Sequence, residues 1–191
     1  MKLLSIVEGQ GELAAVPILL RKILHDNGQF EVEVMRPQVR GDIHKVRKNF
    51  SRFFQMAMKE KAAVLWILDC DDGCPVLLAQ ELHGLAEKEF APYPYGFCFL
   101  VKEYESLFLA DPNSTKTKLE IKESVEFPSD VESIRGVKEW LSQQMSSGHS
   151  YKPTVHQSAL TGSVKLDQLR KKSPSCRHLE KKISNLISKQ L

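Results

Sequence analysis

Apolar stretches alternate with helical patterns over the first hundred residues, and their spacing sets the expected fold. Residues 3–7 are apolar apart from Ser5, and residues 63–68 and 95–101 are almost wholly so. Runs without alternation suit strands covered on both faces, as in a parallel sheet. Residues 30–35 alternate instead. Phe30, Val32 and Val34 fall on one side and Glu31 and Glu33 on the other, which suits a strand near an edge.

The segments between these runs carry a 3.6-residue period. Residues 14–25 place Val16, Leu19, Leu20, Ile23 and Leu24 on one face, and Pro17 requires this helix to begin near Ala14. Asp42 can cap a helix running to about Glu60. Its inner face is Ile43, Val46, Phe50, Phe53, Phe54 and Ala57, and its outer face is basic. A third helix spans residues 74–89, with Pro75 in its first turn. The order predicts an α/β fold: a mainly parallel four-stranded sheet, helices on both faces and right-handed crossovers.

Beyond Val101 the pattern changes. A short helix over residues 103–110 stops at Asp111-Pro112, and residues 112–129 read as a polar loop. A helix is expected over residues 130–145, and a last one opens with Ser173 as N-cap and Pro174 at its first position. The chain thus divides into an α/β core, residues 1–111, and a mostly helical C-terminal extension, residues 112–191, packed on it.

In open parallel sheets ligands bind outside the carboxyl ends of the strands. The first strand ends in Glu8-Gly9-Gln10-Gly11-Glu12, the third in Asp69-Cys70-Asp71-Asp72-Gly73, and the fourth in Lys102-Glu103-Tyr104-Glu105. Seven carboxylates therefore converge on one sheet edge. Such groups repel one another and raise each other's pKa unless cations neutralise them. Hard divalent ions with oxygen ligands do this, and the i, i+2 spacing of Asp69 and Asp71 lets both reach one ion from extended backbone. Gly9 and Gly11 allow a phosphate to approach closely. Any one acid taken alone is more often a helix cap than a ligand.

Composition adds two points. The longest apolar run is residues 62–68, too short to cross a bilayer, and the N-terminus lacks the long apolar core of a signal peptide, so a cytoplasmic protein is expected. The four cysteines include no C-x-x-C pair, and Cys70 and Cys74 with His83 are weak grounds for zinc. The net charge of +3 hides a basic tail: residues 151–191 hold nine Lys or Arg against two acids. That tail suits either a solvated helix face or a polyanion.

VEGQGE (residues 7–12) followed by LDCDD (68–72) resembles the Toprim fold of topoisomerases, primases and the overcoming-lysogenization-defect nucleases. The second acid, Glu12, makes it more similar to the nuclease branch. KEYESLFLAD (102–111) and KKSPSCRHLE (171–180) resemble a compact Toprim-like family of unknown function, often encoded beside an AAA-type ATPase. The resemblance implies a nuclease using Mg²⁺ or Mn²⁺, with DNA favoured over RNA, an ATPase partner and a role in antiphage defence. Glu8 would be metal ligand or general base, Asp69 and Asp71 metal ligands, and Glu12 a second-metal ligand, with Glu103 and Glu105 completing the acidic site. Lys165 would be the catalytic lysine. Arg40, Lys45, Lys48, Arg52, Arg170, Lys171, Lys172 and Arg177 would engage backbone phosphates. The competing reading is an inert Toprim-like module that binds nucleic acid, a nucleotide or a partner.

Overall fold

The three continuous apolar runs form the long strands β1 (Lys2–Val7), β4 (Ala62–Asp69) and β5 (Tyr95–Leu100). The structure, a computed structural model, describes residues 1–39, 41 and 43–188, without the side chains of Ile43, His44 and Arg47. Among the described residues these strands pair in parallel, in the order β2 (Glu33–Val34), β1, β4, β5, with β3 (Gln38–Val39) also on β1. Val7 lies opposite Ile67, and Asp69 opposite Leu100, so the carboxyl ends of the three long strands share one edge.

Among the described residues the sheet has five strands, where four were expected. The alternating run pairs with β1 only over β2 (Glu33–Val34), and β3 (Gln38–Val39) takes up the far end of the same strand. Pro37 lies between them and has no N–H to donate, which interrupts the ladder. Phe30 stays off the sheet, 68% exposed, with its ring 5.2 Å from that of His25.

Side chains alternate between the two faces. Leu3, Val7, Ala63, Leu65, Ile67, Cys98 and Leu100 pack under α1 (Glu12–Asp26) and the C-terminal helices. Leu4, Ile6, Val64, Trp66, Leu68, Phe97 and Phe99 pack under α3 (Phe50–Glu60) and α4 (Pro75–Phe90). The second face is aromatic: Phe54 stacks on Phe90 at 4.1 Å and tilts against Trp66 at 4.8 Å. α1 starts earlier than expected and carries Pro17 inside it. The expected single helix before β4 is two, α2 (Ile43–Lys48) and α3, broken at Asn49, whose side-chain amide donates to the Lys45 carbonyl at 2.8 Å. Its expected cap, Asp42, lies outside the described residues.

The C-terminal half departs furthest from expectation. After α5 (Ser106–Leu109), the Asp111-Pro112 pair opens a helix instead of a loop: α6 (Pro112–Leu119) has Pro112 at its first turn, and Asp111 accepts from the Ser114 N–H at 3.2 Å. The helix expected over residues 130–145 shrinks to α7 (Val137–Gln144), because Gly136 sits in the left-handed region at φ 72°. A π-helical turn, Pro153–Gln157, leads into α8 (Ser158–Ser163), then α9 (Leu166–Lys172) and α10 (Pro174–Ser188). Ser173 caps α10 as expected, accepting from the Cys176 N–H at 3.1 Å. Leu160, Leu169, Leu179 and Leu186 share one buried cluster with Leu3 and Cys98, so the C-terminal helices complete the cover of that face. Among the described residues no helix is long and apolar enough to cross a membrane.

Phe54→Ala removes a ring that is 0% exposed and packs with five aromatic neighbours. A loss of about 3–5 kcal/mol is expected from urea unfolding, the range for burying a cavity in place of a core ring.

Candidate active site

The backbone at the sheet edge is bent in a way that gathers side chains. Beyond β4 and β5 the chain turns at Asp71 and Lys102, with φ of 46° and 65°. Non-glycine residues adopt such values at a cost and mostly where the surroundings enforce them. Here each enforces the other, because the Asp71 N–H donates to the Lys102 carbonyl at 3.1 Å in an isolated antiparallel bridge. Asp71 is therefore not in extended backbone, and the expected i, i+2 alignment of Asp69 and Asp71 does not apply. Glu8 ties the next strand in: its carboxylate accepts from the Asp69 N–H at 3.2 Å.

These turns frame a cleft of about 280 Å³ lined by Glu8, Asp69, Asp71, Lys102, Glu103, Arg135, Gly136, Lys138 and Glu139. Most of the acidic side chains come from the strand ends, Glu139 comes from α7 (Val137–Gln144), and three cations line the same cleft. Lys138 projects from the first turn of α7 and is gripped by Glu103 at 2.5 Å and Glu105 at 3.2 Å, while Glu103 also accepts from the Val137 N–H at 2.5 Å. At the rim Asp72 accepts from Lys102 at 3.1 Å and from Arg135 at 2.5 Å.

The acids strain one another. Burial, then the charges of Glu12, Glu8 and Glu105, hold the Asp69 carboxyl well above the usual range. Burial pushes Glu12 up to about 8, with Glu105 and Glu8 adding to it and hydrogen bonds from the Glu8 and Gly9 backbone opposing. Glu105 is raised by burial too, against the pull of Lys138. For Lys138 burial works against the ammonium, but Glu105 and Glu103 override it and its pKa rises.

The expected site residues divide accordingly. Glu8, Asp69, Asp71 and Glu103 reach the cleft. Glu12 instead folds back on its own loop, accepting from the N–H groups of Glu8 at 3.1 Å and Gly9 at 3.3 Å. Glu105 lies beneath the cleft, 0% exposed. Lys165 is on the loop before α9, where its backbone N–H donates to Asp111 at 2.9 Å, and it does not line the cleft. The lysines at the acids are Lys102 and Lys138. Lys45, Lys48 and Arg52 belong to the α2–α3 face of the sheet and Lys171 and Arg177 to the opposite one, while Arg170 is spent on Asp26 and Glu180, each at 2.7 Å. Arg40 lies outside the described residues. Gly11 does not admit a phosphate: a Cβ there would stand 2.2 Å from the Gln157 side chain and 2.9 Å from the Pro153 backbone. The sequence reading missed Arg135 and Lys138 because they were placed inside a helix. Gly136 between them was the signal, since a glycine in a helical pattern marks a boundary.

A family model described as "Domain of unknown function (DUF4276)" matches residues 7–184. A search of curated proteins finds no match. Among solved structures the chain is similar to the C-terminal region of the Burkholderia pseudomallei OLD protein, at 15% identity and a TM-score of 0.49, over 93% of this chain and 98% of that one.

Two outcomes test this geometry. Gly11→Ala is expected to lower stability by about 1–3 kcal/mol in urea unfolding, the usual cost of overpacking, since backbone as well as side chain blocks the added methyl. The raised carboxyl of Glu12 gives a pH dependence of definite sign: the folded state holds a proton that the unfolded state releases near 4.5. Its contribution is complete below pH 4.5 and is lost as pH rises through about 8. Without divalent cations the melting temperature should fall between pH 5 and pH 8, and Glu12→Gln should flatten that slope.

Proposed function

The chain belongs to the DUF4276 family, and we propose that it is a divalent-metal-dependent nuclease that hydrolyses phosphodiester bonds in nucleic acid. The single observation that carries this is one cleft lined by both signs of charge, with Glu8, Asp69 and Asp71 beside Lys102, Arg135 and Lys138. The acids suit a cation and the cations suit a phosphate, so the same cleft would fit a metal and a phosphodiester together.

The donor set favours Mg²⁺ or Mn²⁺. All its ligating atoms are carboxylate oxygens, and Glu8 and Asp69 stand on hydrogen-bonded neighbouring strand ends. Among the described residues no three Asp, Glu, His or Cys side chains are gathered into a metal cage. An ion that keeps most of its waters and takes one or two carboxylates directly matches that arrangement. When bound, such an ion supplies Lewis acidity and lowers the pKa of water. The chain's own residues do the rest. Glu8, Asp69 and Asp71 would hold the cation. Lys138, fixed by two carboxylates, presents positive charge where the phosphoryl oxygens gain negative charge, and a fixed charge needs no reorganisation as the reaction proceeds. Lys102 and Arg135 exchange Asp72 for backbone phosphates, contacts that are sequence-independent and weakened by salt.

Incubation of the purified chain with plasmid DNA and with single-stranded RNA tests the reading. Cleavage is expected with Mg²⁺ or Mn²⁺ and none with EDTA. Asp69→Asn and Glu8→Gln should each lower the rate by about 100-fold or more, the scale for loss of a preorganised charge-stabilising group. Full cleavage by Asp69→Asn contradicts the proposal. Metal binding without cleavage of either polymer leaves the inert binding module. Cleavage that appears only on adding an ATPase marks the partner-dependent effector that the sequence resemblance implies.

A further inference from the structure

The buried acid beneath the cleft is the part of this region whose role the metal reading leaves open. Glu105 is 0% exposed, so a hydrated ion cannot reach it without opening the core. One of its oxygens accepts from the Tyr151 hydroxyl at 3.0 Å and from the Gln157 side-chain amide at 3.2 Å. The other makes no aligned hydrogen bond and lies 3.2 Å from the Lys138 ammonium. A buried carboxylate without a balancing cation is costly, and Lys138 is the cation that balances this one.

The surroundings hold this pair from two directions. Tyr151 donates its hydroxyl to Glu105 and its backbone N–H, at 3.0 Å, to Ser142. Ser142 in turn donates to the Lys138 carbonyl at 2.7 Å, so one tyrosine fixes both the acid and the helix that carries the lysine. Gln157 arrives through the π-helical turn, an irregularity that recurs at functional sites. It fits because Gly11, at the start of α1, has no side chain to meet it. Thr161 then ties the turn to Tyr104, donating to the Gln157 carbonyl at 2.7 Å and lying 3.0 Å from the Tyr104 hydroxyl.

We propose that Glu105 is a positioning residue, held by Tyr151 and Gln157, that fixes the Lys138 ammonium toward Glu8 and Asp69, and that it is not a ligand of the cation. A free lysine side chain samples many rotamers. Two carboxylates gripping one ammonium, Glu103 from the cleft wall and Glu105 from below, select the one that faces the acids. This rests on the nuclease reading for its consequence and on the geometry alone for its structure, and the experiment separates the two.

Glu105→Gln keeps an acceptor for Tyr151 and Gln157 while removing the charge. Mn²⁺ affinity by calorimetry is expected to stay within threefold of the unaltered protein, whereas Glu8→Gln loses it. Cleavage should fall about 10–100-fold in kcat, the usual cost of losing a group that orients another, with KM within threefold. Lys138→Ala should cost as much, and the double variant no more than the larger single loss. Loss of Mn²⁺ binding in Glu105→Gln, or losses that multiply in the double variant, overturns the proposal. If Glu105→Gln does not fold, Tyr151→Phe removes only a hydroxyl and should lower kcat three- to tenfold with metal affinity unchanged. If the protein cleaves nothing, the nuclease reading fails and ¹⁵N-lysine NMR decides this one. The Lys138 ammonium should give a slowly exchanging resonance that Glu105→Gln abolishes, and an unchanged resonance contradicts the positioning role.

Discussion

Like charges delivered to one edge of a parallel sheet are the constraint to which the rest of this protein responds. Three strands end side by side in acids, and parallel pairing leaves no freedom to send those acids elsewhere. Each carboxylate that burial keeps from water raises the pKa of its neighbours. The fold meets the crowding in three ways. Glu12 turns its carboxylate back on backbone N–H groups, Glu105 is paired with Lys138 below the surface, and Asp72 is neutralised by Lys102 and Arg135 at the rim. Glu8, Asp69 and Asp71 face the cleft.

The cations that answer the acids come mainly from the C-terminal half. Arg135 and Lys138 stand on either side of Gly136, and the helix they introduce is held against Glu103 through the Val137 N–H. The basic tail is a poor guide to the cleft. Arg170 is engaged in holding α9 and α10 to α1, and Lys165 lies apart from the acids.

The sheet and its acids were legible in the sequence because their signals are local. The apolar runs of β1, β4 and β5 are continuous, and the residues after them are read directly. The second strand was less legible, since Pro37 splits its pairing into two short pieces whose hydrogen bonds depend on β1. Asp111-Pro112 was read as a stop when the same pair, in its capping role, starts a helix. Lys138 was illegible for a different reason: its partners lie more than thirty positions away in sequence, and only a left-handed Gly136 turns it toward them. The cost and packing of Gln157 against Gly11 are likewise set by a contact between distant segments. The strained turns at Asp71 and Lys102 belong to this class, because their bridge joins two strand ends.

The central claim is that Glu8 and Asp69 form a cation site faced by Lys138. Anomalous diffraction from a crystal soaked in Mn²⁺ tests it most directly. The account predicts a single dominant peak within coordination distance of the Glu8 and Asp69 carboxylate oxygens, with Glu105 still bound to Tyr151 and Lys138. A peak on Glu105, a peak remote from the strand ends, or no bound ion at millimolar Mn²⁺ would contradict it.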